Sequence, residues 1–175
     1  MDAKSSRKVA VITGAAQGIG RRTAEVLAAQ GYSLALSLAL IDLREPAECF
    51  AAGPSIPADT LSFAADITGE KSIEEFAGAV HRRWDSVDLL VNNAGISLIA
   101  PAETVSAKDF RRVLEVNLVA PFLLAQAFGK RMLVAGKGSI VNIASVAGLL
   151  GIADRSAYNA SKHGLIGLTR TLAAE

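Results

Sequence analysis

The run Tyr158-Asn159-Ala160-Ser161-Lys162, with Ser145 upstream of it, places a phenol and an ammonium one helical turn apart. An unperturbed tyrosine, with a pKa near ~10, is a poor acid–base group at neutral pH. A lysine at i+4 shares its helix face and favours the phenolate. A tyrosine tuned in this way can exchange a proton with an alcohol oxygen. Taken alone, the spacing equally fits a half-buried tyrosine beside a solvated lysine, so the elements around it must decide.

Composition narrows the classes. The chain has 175 residues, 51% of them hydrophobic and 20% charged, which describes a compact chain with a core and one domain over residues 1–175. A formal net charge of +1, without a dense basic run, gives no electrostatic footprint for nucleic acid or an anionic membrane. A small molecule is the expected partner. The lone Cys49 cannot form an internal disulfide, and His81 and His163 stand far apart, so no metal site is expected and the setting reads as cytoplasmic. The basic start is followed by an apolar stretch that Gly14, Gly18, Gly20 and Arg21 break at once, which argues against a secretory signal. No apolar run approaches the ~18 residues of a membrane span.

Short apolar runs alternate with segments of helical period. The pattern predicts strands over 9–13, 34–41, 61–65, 87–91 and 139–144, and helices over 18–30, 70–84, 107–134 and 154–174. Such alternation implies a parallel sheet covered on both faces. Pro121, inside the third helix with Asn117, predicts a kink there. The tetrapeptide Ser33-Leu34-Ala35-Leu36 is repeated at once as Ser37-Leu38-Ala39-Leu40. Four residues leave the in/out alternation of a strand unchanged, so the surplus either lengthens the strand or bulges out ahead of it.

The first strand runs into Thr13-Gly14-Ala15-Ala16-Gln17-Gly18-Ile19-Gly20, which opens a helix. Glycines permit the tight turn and let backbone N–H groups approach a pyrophosphate at the helix N-terminus. The same loop could serve strand–helix packing alone. Asp42 closes the second strand. A carboxylate there accepts both ribose hydroxyls of NAD and repels the 2′-phosphate of NADP, although an ordinary turn aspartate occupies such positions too.

With these residues in view, the chain resembles the short-chain dehydrogenase/reductase family from Lys8 to Glu175. TGAAQGIG is similar to that family's TGxxxGxG, Asn92-Asn93-Ala94-Gly95 to its NNAG, and Asn117, Ser145, Tyr158 and Lys162 fall in the order of its catalytic tetrad. The resemblance implies an α/β, Rossmann-like, doubly wound parallel sheet and hydride transfer between a nicotinamide cofactor and an alcohol or ketone. NAD is the expected cofactor, with NADP possible. It implies that Tyr158 is the general acid or base, that Lys162 lowers its pKa and holds the nicotinamide ribose, that Ser145 bonds the substrate oxygen, and that Asn117 kinks its helix and holds a water of the proton relay. Gly14, Ala16, Gln17, Gly18, Ile19 and Gly20 would cradle the pyrophosphate. Asn93, Ala94 and Gly95 would line the adenosine side and steady the sheet, while Asp66 and Ile67 would meet the adenine.

The chain departs from that pattern in two places. Between Gly31 and Asp42 lie four residues more than the family's spacing, the length of one Ser-Leu-Ala-Leu copy. An early bulge would leave Asp42 at the strand's end, whereas a shifted strand would put the cofactor preference in doubt. Family members also run to roughly 250 residues, an ordinary one-domain size. The resemblance therefore implies that the last strands of the family fold are missing here, with the lid over the substrate, and that the family's homo-oligomer belongs to the longer form. A strand over 139–144 without its next neighbour is an open edge prone to self-association. The alternative to an active oxidoreductase is thus a catalytically impaired remnant that binds dinucleotide or pairs with related subunits. An epimerase using the same Tyr/Lys chemistry fits the glycine and NNAG motifs less well. Leu149, Leu150 and Ile152 suggest a partly apolar pocket wall, or residues packed under their loop.

Overall fold

The computed structural model describes residues 8–38, 60–64 and 66–175. Val9–Thr13 form β1, with every residue buried, as expected of an apolar, β-branched run in the middle of a parallel sheet. The chain continues through α1 (Gly18–Ala29), β2 (Ser33–Leu38), β3 (Thr60–Ala64), α2 (Glu70–Arg83), β4 (Leu89–Asn92), α3 (Ala107–Leu114), α4 (Ala120–Ala135), β5 (Ser139–Asn142) and α5 (Ser156–Leu172). Where the expected boundaries fall among described residues, they are met to within two residues. The strands form a parallel sheet in the order β3-β2-β1-β4-β5. That order reverses direction beside β1, and ligands of open α/β sheets bind outside the strand ends at such a point.

Alternation along β1 builds the two covering layers. Val9 and Val11 point into a core with Phe76 and Val80 of α2 and Leu124 and Phe128 of α4. Ala10 and Ile12 point the other way, against Ala24, Leu27 and Ala28 of α1. Helices therefore cover both faces, because β1 is apolar at odd and even positions alike. Phe128 anchors the first layer: its ring meets Phe76 edge-on at 6.0 Å and His81 at 5.4 Å.

The duplicated tetrapeptide does not bulge within β2. Pairing to β1 runs without a break from Val9↔Ser33 to Thr13↔Ser37, and pairing to β3 runs from Leu34↔Thr60 to Leu38↔Ala64. The second copy thus enters the strand in the place where the first copy ends. Asp42 lies outside the described residues.

The expected long helix over 107–134 is continuous in path, but its irregularity is a π turn, Glu115–Val119, between α3 and α4. Ser106 caps the start by accepting the Asp109 N–H at 3.1 Å. Pro121 falls in the first turn of α4, where a missing N–H is tolerated. Over Ala107–Ala135 the helix is long and apolar enough by composition to cross a membrane, although it contains no unbroken apolar run of that length. Its apolar side is instead committed to the core through Val113, Val116, Ala120, Leu124, Phe128 and Met132. Among the described residues no strand lies beyond β5, and its Val141 is 43% exposed. Alongside it runs a groove of about 470 Å³ walled by Met132, Leu133, Ile140 and Leu172.

Phe128→Ala is expected to cost about 3–5 kcal/mol, since it empties a site between two helices and the sheet. Leu133→Ala, at a largely exposed site on the same helix, should stay within about 0.5 kcal/mol. Urea unfolding of both variants checks the contrast, and equal losses would contradict this assignment of the core.

Candidate active site

At the end of β1 the Thr13 side chain turns inward and becomes a hub. Its Oγ1 accepts the backbone N–H groups of Asn93 and Ala94, both at 3.0 Å. The Asn93 amide returns the contact, donating to the carbonyls of Thr13 at 3.0 Å and Gly14 at 3.1 Å. The NNAG segment after β4 is thereby bonded to the glycine loop. A Cβ on Gly14 would lie 2.9 Å from the Ala94 Cα, and one on Gly20 would collide with the Gly14 carbonyl oxygen and the Asn93 amide. Only glycine permits that approach.

The opposite side of the loop is open. A Cβ on Gly18, at φ 55°, would meet nothing within 4 Å. The Gln17 side chain does not cap α1, and no acidic residue stands in its first turn. An uncapped helix start free of carboxylates, facing open space at the sheet's switch point, fits a pyrophosphate. At the end of β3, Asp66 Oδ1 accepts the Thr68 N–H at 2.9 Å and hydroxyl at 2.6 Å. Arg112 of α3 donates to Thr68 Oγ1 at 2.8 Å and lies 3.8 Å from Asp66 Oδ2. The Ile67 side chain is buried against Ala94, Val116 and Ala120, which leaves its backbone as the part able to meet a ligand.

The π turn buries Asn117 completely. Its Oδ1 accepts the Ile96 N–H at 2.8 Å, and its Nδ2 donates to the Ile96 carbonyl at 2.9 Å and to Ser161 Oγ at 3.0 Å. Ser161 in turn donates to the Tyr158 carbonyl at 2.7 Å. Pro121 has no N–H to return to the carbonyl four residues earlier, which is that of Asn117. Asn117 therefore lacks the ordinary i+4 main-chain donor, while its side chain is spent on the scaffold.

Lys162 is buried, and its ammonium donates to the Ile143 carbonyl at 2.7 Å. The ammonium also stands 5.8 Å from the centroid of the Tyr158 ring. A Cβ on Gly95 would lie 3.3 Å from Asn117 Oδ1 and 3.7 Å from Lys162 Nζ, so the NNAG glycine lets these two groups share one space. Burial lowers the Lys162 pKa from its ordinary value. Ser145 follows two residues after Ile143 and caps the turn Val146–Gly148, its Oγ accepting the Ala147 N–H at 3.2 Å.

Strand ends, the π turn and α5 thus gather Asn117, Lys162 and Tyr158, with Ser145 next to the Lys162 anchor. Three contributors escaped the sequence reading: Thr13, Ser161 and the Ile143 carbonyl. Ser161 carried a signal, because three residues after Tyr158 it shares that helix face. The Ile143 carbonyl carried none, since any residue supplies one.

Comparison with known proteins gives the same class. The model of the short chain dehydrogenase family matches residues 8–175. D-threitol dehydrogenase of Mycolicibacterium smegmatis is 42% identical over 178 residues, covering 99% of this chain and 66% of its own length. The NAD-dependent glycerol dehydrogenase of Listeria innocua is 36% identical over 168 residues, covering 96% of this chain and 64% of its own. The crystal structure of a metagenomic short-chain oxidoreductase in complex with NADP superposes with a TM-score of 0.84 at 37% identity, covering 95% of this chain and 75% of that one. The chain belongs to the short-chain dehydrogenase family. It spans just under two thirds of the length of the two curated relatives.

Lys162 gives the site a pH signature. Its folded pKa lies below the unfolded value of about 10.4, so between the two the unfolded chain binds more protons and stability rises with pH. As the pH rises through the alkaline range toward about 10.4, the native chain should gain stability relative to Lys162→Met, which lacks the titrating group. Urea melts of the two proteins across that range check the sign, and a constant difference would contradict it.

Proposed function

We propose that the chain is an oxidoreductase domain that moves a hydride between a nicotinamide cofactor and an alcohol/ketone pair. The observation that carries the reading is the shared space of Lys162, Asn117 and Gly95 beside the Tyr158 ring. A nicotinamide cofactor held by the glycine loop and the start of α1 would supply the hydride acceptor for oxidation of the carbinol carbon and the hydride donor for reduction. Tyr158 takes the hydroxyl proton as the carbon–oxygen double bond forms, and gives it back in the reverse direction. Lys162 sets its ammonium 5.8 Å from the centroid of the Tyr158 ring and would hold the nicotinamide ribose. Ser145 hydrogen-bonds the reacting oxygen. Asn117 would hold the water through which the proton leaves. The glycine loop and the start of α1 take the pyrophosphate, and Asp66, set by Thr68 and Arg112, faces the adenine.

NAD is the proposed cofactor, on Asp42, and the register of β2 refines how that residue acts. Thr13 pairs with Ser37, and Asp42 stands five residues beyond Ser37. Removing one Ser-Leu-Ala-Leu copy in this register brings Asp42 to the position next after the partner of Thr13.

Tyr158→Phe keeps the ring and deletes the proton. It is expected to lower turnover by ~10²–10⁴-fold with cofactor affinity nearly unchanged. Steady-state rates and equilibrium binding of NADH measure both, and a rate loss below about tenfold would remove Tyr158 from the proton path.

Deleting Ser33–Leu36 should widen the preference for NAD over NADP. Asp42→Ala in that background should abolish the gain. Titration of both cofactors into the three proteins decides, and a deletion that leaves the ratio unchanged would mean that Asp42 acts independently of strand register.

A further inference from the structure

We infer that the substrate of this site is a compact apolar secondary alcohol or its ketone, with an alicyclic or branched aliphatic body, rather than a polyol. The inference rests on the oxidoreductase reading above. Among the described residues, eleven large hydrophobic side chains are exposed, and five of them lie on two loops: Ile99 at 65%, Val146 at 63%, Leu149 at 66%, Leu150 at 62% and Ile152 at 43%. Such concentration is not the ordinary scatter of apolar residues over a surface.

Hydrogen bonds fix both loops next to the chemistry. Ala100 N–H donates to the Asp154 carbonyl at 2.9 Å, and Arg155 Nη1 donates to Ser97 Oγ at 3.2 Å, joining one loop to the other. Gly148 N–H donates to the Ser145 carbonyl at 2.9 Å, so Leu149 follows one tight turn after Ser145. Asn159, next to Tyr158, donates its amide to the Leu150 carbonyl at 2.7 Å. Leu149 and Leu150 are therefore held between Ser145 and the first turn of the Tyr158 helix.

Polar side chains nearby serve the protein. Ser97 Oγ receives Arg155 and the Asn159 Oδ1 is buried without a partner, out of reach of a ligand at the surface, while Ser145 is committed to the reacting oxygen itself. Asp154 is the one carboxylate of the 145–155 loop and stands beyond Ile152. A polyol needs a partner for each hydroxyl taken out of water, and an unmet hydroxyl opposes binding. A hydrocarbon body needs only cover, which the leucines supply.

The test compares ligands of matched chemistry on the whole chain loaded with NADH. Saturation-transfer NMR with cyclohexanone and with erythrulose reads binding whether or not turnover is fast. Rates with cyclohexanol and erythritol read catalysis. Cyclohexanone should bind and erythrulose should not at equal concentration. The double variant Leu149→Gln, Leu150→Gln should weaken cyclohexanone binding by about tenfold, with NADH affinity unchanged. Ile99→Gln, on the facing loop, should weaken it less but in the same direction. Erythrulose binding as well as cyclohexanone, neither ketone binding, or leucine variants without effect would each overturn the substrate class. Failure of NADH to bind at all would instead overturn the oxidoreductase reading.

Discussion

The buried amide of Asn117 is the joint on which the site depends. Its bonds tie the segment after β4 to the π turn, and the π turn to α5 through Ser161. The Asn117 side chain lies out of water, and a lost partner would strand a buried polar group at a cost of about 1–3 kcal/mol. An α-helical turn would not place one side chain between both neighbours. The extra residue of a π turn rotates Asn117 inward, and Pro121, by lacking an N–H, removes the i+4 donor to the Asn117 carbonyl.

A second joint sits at Thr13, which ties the glycine loop to the NNAG segment. The two joints meet at Gly95, the last residue of that segment, against Asn117 and Lys162. The glycine loop and the proposed proton-handling groups are therefore positioned by one continuous set of short contacts. Errors in either joint would propagate, because packed interiors do not deform gradually.

Much of this was legible in the sequence, for identifiable reasons. β1 could be read because Val9, Ala10, Val11 and Ile12 are apolar on both faces, which a central parallel strand requires. The glycine loop could be read because Gly14 and Gly20 are needed where a Cβ would collide with backbone. The kink near Pro121 could be expected, but not its form. Helix propensity does not distinguish a proline kink from a π turn, and the choice was made by the burial of Asn117. The outcome of the Ser-Leu-Ala-Leu repeat was hidden for a related reason. Two residues per strand period make both copies equally good strand, and only the ladder to β1 and β3 fixes which one occupies each place.

Lys162 brings the energetics and the chemistry together. An ammonium removed from water disfavours its own charge, and the Ile143 carbonyl, a neutral acceptor, compensates only in part. A fully solvated lysine would cost the fold nothing, but water would screen its effect on the phenol. Held in a poorly screened space beside Tyr158, the same charge acts on its neighbour more strongly. The lowered lysine pKa and the closeness of its ammonium to the Tyr158 ring are two consequences of one burial. The fold sustains that burial because the strain is local: β5 and α5, which carry the acceptor and the ammonium, are held by the sheet ladder and by the Asn142–Thr169 hydrogen bond at 2.9 Å.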